Sequence, residues 1–221
     1  VVSCLVTLEL TGITVSFNSA PLEWWLSLPI IVIYPLLFGW VSYQTATKLA
    51  EHKRRLQVMS TRDGMTGVYN RRHWETMLRN EFDNCRRHNR DATLLIIDID
   101  HFKSINDTWG HDVGDEAIVA LTRQLQITLR GSDVIGRFGG DEFAVIMSGT
   151  PAESAITAML RVHEGLNTLR LPNTPQVTLR ISVGVAPLNP QMSHYREWLK
   201  SADLALYKAK KAGRNLSLIH I

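Results

Sequence analysis

Gly139-Gly140-Asp141-Glu142 joins two segments of β character, Asp133 to Phe138 and Phe143 to Met147. Paired glycines supply the positive φ that a tight hairpin needs and leave the backbone bare for the close approach of a ligand. Two carboxylates follow at once, so the turn presents acids beside accessible backbone, which suits a divalent metal and a phosphate; a solvated surface turn is the plain alternative. A second acidic place precedes it. Thr93 to Ile97 (TLLII) reads as a short buried strand and ends in Asp98-Ile99-Asp100. If this strand pairs with the hairpin, Asp98, Asp141 and Glu142 converge. Three hard oxygen ligands select Mg²⁺ or Mn²⁺. The eight His and two Cys show no zinc-like spacing, which excludes a zinc site.

Between the acids, Phe102 to Asp115 (FKSINDTWGHDVGD) is dense in amide, carboxylate and imidazole groups. Asn106 and Asp107 suit turn caps as well as ligands, and Asp112 suits a helix cap. Ile118, Leu121, Leu125 and Leu129 recur at helical spacing and read as core. Near the end, Lys208 to Arg214 (KAKKAGR) supplies cations for a phosphate or for a helix C-terminus.

The elements that must position these groups follow in order from Asn70: helix, strand (Thr93 to Asp98), short helix, long helix, hairpin (Asp133 to Met147), helix (Pro151 to Leu169), strand (Val177 to Ala186), helix (Tyr195 to Ala212). Mixed strands with helices on one face predict an α+β fold.

Asp63 to Arg72 (DGMTGVYNRR), Asp98 to Asp115, Gly139 to Phe143 (GGDEF), Ser182 to Ala186 (SVGVA) and Ala202-Asp203 to Asn215 resemble, in order, the motifs of GGDEF-domain diguanylate cyclases. That family joins two GTP into cyclic di-GMP and releases pyrophosphate, on a fold similar to adenylyl cyclases and polymerase palms. The resemblance implies that Asp98, the Ile99 carbonyl, Asp141 and Glu142 hold Mg²⁺ (or Mn²⁺). It further implies that Asp141 is a proton acceptor, a task the metal can share, and that Lys103 stabilises the transition state. Lys210 and Arg214 match residues that clamp the terminal phosphates. Asn106 and Asp115 match guanine readers, and His111 a nearby substrate contact. The chemistry agrees for the base, since a carboxylate accepts from both guanine N1–H and N2–H₂ and adenine has no N1 donor.

Each domain of the family holds one GTP, so a homodimer is implied. Arg130-Gly131-Ser132-Asp133 resembles the family's inhibitory product site, where Arg130 and Asp133 would bind cyclic di-GMP. The alternative is a catalytically silent module that binds GTP or cyclic di-GMP; retention of Asp98 and both hairpin acids argues for the enzyme.

The formal charge of +3 does not indicate a nucleic-acid partner. Trp24 to Thr47 is an uncharged stretch of 24 residues, roughly 36 Å if helical and long enough to span a bilayer core. A transmembrane helix is expected over about 24–46, with Trp24, Trp25 and Trp40 as interfacial anchors. The apolar Val1 to Phe17 is read as the end of an earlier membrane helix, and residues 1–47 resemble the end of a MASE2-type sensory region. Lys48, Lys53, Arg54, Arg55 and Arg62 follow directly. The positive-inside rule then puts the catalytic domain on the cytoplasmic side of a bacterial inner membrane. Cys4 and Cys85 form no disulfide framework, as suits a reducing compartment. Residues 48–62 read as a helical linker in which Leu49, Leu56 and Met59 make a short heptad seam, with a solvated helix face as the equal alternative, and 63–215 as the catalytic domain. Leu216 to Ile221 (LSLIHI) departs from the family pattern, matches the translation of a common sequencing adapter, and is read as a non-native tail.

Overall fold

The computed structural model describes residues 7–10, 13–16, 33–50, 61–172, 174 and 176–219. They belong to two units, Val1–Met59 and Ser60–Ile221.

In the first unit, β1 (Thr7–Leu10) pairs antiparallel with β2 (Ile13–Ser16), from Thr7↔Ser16 to Leu10↔Ile13. This corrects the expected membrane helix over Val1 to Phe17. Thr7, Ile13, Thr14 and Val15 are β-branched, which favours strands over helix. Helix α1 covers residues 33–50, with Tyr34 and Phe38 stacked one turn apart. Among the described residues no helix is long and apolar enough to cross a membrane. The expected span over 24–46 falls partly outside the described residues, as does the linker beyond residue 50, including Leu56 and Met59 of the expected seam.

The second unit is built on a six-stranded mixed sheet. Its strands are β3 (Tyr69–Asn70), β4 (Ala92–Ile99), β5 (Val134–Gly139), β6 (Glu142–Ser148), β7 (Ile181–Pro187) and β8 (Ser217–Ile219), in the order β3-β5-β6-β4-β7-β8. β4 lies between β6 and β7, antiparallel to both. Every residue of β4 is buried. A strand buried on both faces needs a cover on each, and the sequence supplies two. Leu95, Ile97 and Ile99 of β4 join Phe143, Val145 and Met147 of β6 under α4 (His111–Thr128) and α5 (Ala152–Thr168). Leu94 and Ile96 join Ala144 and Ile146 under α2 (Arg71–His88) and α6 (Tyr195–Lys211). Helices therefore cover both faces, not the one expected, because TLLII is apolar at successive positions rather than alternating. The fold is α+β with a mixed sheet flanked by helices.

The helices form where their apolar residues recur at helical spacing. α2 buries Trp74, Leu78, Phe82 and Cys85; the Asn70 side chain caps it by accepting from His73 N (3.0 Å), and Arg86, Arg87 and His88 close its negative end. α4 buries Ile118, Leu121 and Leu125 as expected. The two fully buried indoles keep their donors satisfied, with Trp74 Nε1 donating to Val134 O (3.1 Å) and Trp198 Nε1 to Ala186 O (2.8 Å). The strand expected over Val177 to Ala186 begins only at Ile181, and β8, parallel to β7, occupies the edge with residues of the expected tail.

Candidate active site

β4 and β6 run in register so that Asp98 lies directly opposite Glu142, and Ile99 N donates to Asp141 O at 3.4 Å. The expected convergence of a strand-end acid with the hairpin acids is therefore a property of the ladder. Asp98 is buried, Asp141 half-buried and Glu142 exposed. Opposed residues share a face of the sheet, which puts two carboxylates side by side.

A cation answers them. Lys210, in the last turn of α6, places Nζ 2.7 Å from Asp98 Oδ2. Burial pushes the Asp98 carboxyl up; Lys210 pulls it back, Asp141 and Glu142 push it up again, and it stays above the ordinary value. Asp203, earlier on α6, is also raised, first by burial and then by Glu142, against the opposing pull of Arg71. The expected phosphate clamp Lys210 thus sits on the expected metal ligand Asp98. Among the described residues no three His, Cys, Asp or Glu side chains close into a cation cage. The donors nevertheless fit a hard divalent ion: they are all oxygens, and their mutual repulsion calls for positive charge.

The hairpin that presents Asp141 is held from outside. Its register shifts between Arg137 and Gly139, and Gly140 turns at φ +29°. Arg137 donates through Nε and Nη2 to Gly140 O (3.0 and 2.8 Å) and through Nη1 to Asp63 Oδ1 (3.1 Å). Asp63 also accepts from Thr66 N and Oγ1 (3.0 and 2.7 Å). Burial raises the Asp63 carboxyl, but the Thr66 and Arg137 bonds outweigh it, and its pKa lies below the usual value. The motif opening the domain is therefore a brace for the hairpin tip, a role that no spacing of residues marks.

The remaining expected residues gather on a neighbouring turn. Lys103 is exposed in the first turn of α3 (Phe102–Trp109), which packs on α4 around Gly110 (φ +88°). Asn106 Oδ1 is buried and accepts no hydrogen bond. It lies so close to Gly114 that a Cβ there would collide with it, so glycine makes room for the amide. His111 and Asp115 are exposed on α4. Arg214 is exposed beyond the end of α6. An unpartnered acceptor beside an exposed carboxylate leaves hydrogen-bonding capacity for a ligand.

Arg130 and Asp133 form a separate place. Arg130 N donates to Asp133 Oδ2, and Asp133 N to Arg130 O, both at 2.9 Å. Asp133 Oδ1 is buried without a partner, and burial raises this carboxyl against the pull of Arg130. Both residues line a cleft of 240 Å³ that also includes Arg161 of α5. No local signal in the sequence marks Arg161, since the cation comes from a separate helix.

Residues 60–216 match the family model described as "Diguanylate cyclase, GGDEF domain". Among curated relatives, diguanylate cyclase DosC of Escherichia coli K12 is 34% identical over 155 residues, covering 69% of this chain and 34% of DosC. Diguanylate cyclase DgcM of the same strain is 35% identical over 170 residues, 76% of this chain and 41% of DgcM. This chain thus spans less than half the length of either. Among solved structures, the GGDEF domain of DgcB from Caulobacter crescentus in complex with c-di-GMP superimposes with a TM-score of 0.69 at 29% identity, covering 72% of this chain and 93% of that one. Diguanylate cyclase SiaD of Pseudomonas aeruginosa, in complex with its activator SiaC, gives a TM-score of 0.69 at 32% identity, covering 89% and 77%. With the sheet-end acids, the braced Gly-Gly hairpin and the α3–α4 turn on one domain, this chain belongs to the GGDEF-domain diguanylate cyclase family.

Proposed function

We propose that this chain is the catalytic part of a diguanylate cyclase, condensing two GTP into cyclic di-GMP and two pyrophosphates. The observation that carries the reading is the buried Asp98 in register with Glu142, beside Asp141 and within reach of the Lys210 ammonium. In each step a ribose 3′-oxygen bonds to the α-phosphorus of the other GTP, the bond to pyrophosphate breaks, and the hydroxyl proton is accepted at Asp141. Asp98, the Ile99 carbonyl, Asp141 and Glu142 would hold Mg²⁺ or Mn²⁺, which when bound lowers the hydroxyl pKa and offsets charge on the phosphorus. Lys103 stabilises the transition-state charge. Lys210 and Arg214 hold the terminal phosphates, Asn106 and Asp115 read guanine, and His111 contacts substrate nearby. Since each domain holds one GTP, the productive unit is a homodimer. Cyclic di-GMP acts back at Arg130 and Asp133, a reading supported by the unpartnered Asp133 Oδ1 in its cleft.

The same proposal extends to setting. The apolar stretch from Trp24 and the basic residues after it support a membrane-embedded protein in a bacterial inner membrane, with the catalytic domain cytoplasmic. By its motifs and its apolar N-terminal stretch we read the chain as similar to the enterobacterial membrane-bound cyclase DgcC (AdrA), and propose for it a MASE2-type sensor and a part in biofilm and cellulose signalling. Incubation with GTP and Mg²⁺ tests the activity: the wild-type chain forms cyclic di-GMP and Asp141→Ala does not, and excess ATP does not compete. No product from a folded, dimeric wild type would reject the cyclase in favour of a silent GTP-binding or cyclic di-GMP-binding module.

A further inference from the structure

We infer that Asp100 is a positioning residue for the phosphate end of the nucleotide site, acting through the turn that follows α6. The inference rests on the reading of Lys210 and Arg214 as phosphate ligands. After α6 ends, three successive residues adopt positive φ: Gly213 (+119°), Arg214 (+64°) and Asn215 (+50°). Side-chain-bearing residues resist that region, so a turn with two of them persists only where its surroundings enforce it.

Two hydrogen bonds do so. Arg214 N donates to Ala209 O at 3.1 Å and Asn215 N donates to Asp100 Oδ2 at 2.8 Å. Asp100 lies just past the end of β4 and is 5% exposed. Its other oxygen, Oδ1, accepts from the fully buried Ser182 hydroxyl of β7 at 2.7 Å, and its own N–H donates to Arg180 O at 2.8 Å. One carboxylate therefore fastens together the ends of β4 and β7 and the turn carrying Arg214. A buried carboxylate is unfavourable unless its lone pairs are used, and charge-assisted bonds such as these are short and directional. Two residues earlier, Asp98 holds Lys210. Both cations of the phosphate clamp thus take their position from the same strand end, Lys210 through Asp98 and Arg214 through Asp100.

The test compares affinities of the full chain for a non-hydrolysable GTP analogue and for GMP, which lacks the terminal phosphates. The variants are Arg214→Ala, Asp100→Ala and Asp100→Asn, whose amide oxygen still accepts from the Asn215 N–H. Arg214→Ala and Asp100→Ala each weaken the GTP analogue about tenfold, as loss of one charge-assisted contact predicts, and leave GMP binding unchanged; Asp100→Asn restores most of the loss. A loss in Arg214→Ala with none in Asp100→Ala overturns the positioning role alone. No loss in Arg214→Ala overturns the phosphate reading and the inference with it. Equal weakening of GMP by Asp100→Ala marks a general structural role and also overturns it. If Asp100→Ala does not fold, amide hydrogen exchange on the wild type decides. The Asn215 amide exchanges slowly and slows further with the GTP analogue but not with GMP; a fast amide overturns the clamp.

Discussion

Cys85 lies on the buried face of α2 and donates its thiol to Glu81 Oε1 at 3.3 Å. Burial first, and then the Glu81 carboxylate, push its pKa from 9.0 up to about 12. A thiol reacts as thiolate, so iodoacetamide at pH 8 is expected to leave Cys85 unmodified in the folded protein and to alkylate it in denaturant, read by peptide mass. Linkage fixes the sign for stability. The folded value lies above the unfolded one, so the contribution is complete below about 9 and is lost as pH rises from there towards 12. Denaturation midpoints of wild type and Cys85→Ala, followed across that window, should converge as pH rises. Alkylation of the folded protein at pH 8 would contradict the burial of this thiol.

At the scale of elements, glycines packed against helices separate soft from hard contacts. A Cβ at Gly184 of β7 would collide with backbone of α6, at Ala202 O and Leu206 N, whereas one at Gly165 of α5 would meet only the amide end of the Gln124 side chain. Backbone of a packed helix cannot step aside, but the far end of a flexible side chain can swing away. Gly184→Ala should therefore cost about 3 kcal/mol and Gly165→Ala less than about 1 kcal/mol, in urea denaturation at constant slope. The reverse order would show that α6 is free to move off the sheet.

Much of this arrangement was legible in the residues. The TLLII run and the Gly-Gly hairpin announced β4 and the β5–β6 pair, and the helical recurrence of Ile118, Leu121 and Leu125 announced α4. The continuous apolar run of β4 carries the signal for its two-sided cover, which the expectation of helices on one face leaves unused. Val177 and Leu179 are buried but lie outside the strand, since apolar residues report burial and not hydrogen bonding. The two-residue β3 is too short for any period to appear. At the site, the meeting of Asp98 with the hairpin followed from strand pairing. Its ion pair with Lys210 did not, because that contact depends on how the end of α6 crosses the sheet.

For the molecule as a whole, the proposed reading gives one GGDEF domain a single nucleotide site, apart from the Arg130–Asp133 cleft. A reaction that needs two bound GTP makes specific activity depend on association. The rate per chain should rise with protein concentration through the dimerisation range and then level off; a rate independent of concentration, with monomer seen by sedimentation, would count against the two-domain site. Added cyclic di-GMP should slow the reaction, and Arg130→Ala should raise the concentration needed for half-inhibition about tenfold, the loss of one charge-assisted contact. Unchanged inhibition in that variant would remove the cleft from the regulatory reading.

An acid that carries its own counter-ion is a site at rest. With Lys210 seated on Asp98, that carboxylate is paired before any ligand arrives, while Asp141 and Glu142 keep the strand end acidic. On the proposed reading, a nucleotide arriving without a divalent ion would draw the ammonium away and leave Asp98 unpaired, and a divalent ion arriving alone would meet the ammonium with no phosphate to receive it. Lys210 would then act as a latch that either key alone turns poorly, tying readiness to the joint presence of divalent ion and nucleotide rather than to the level of either.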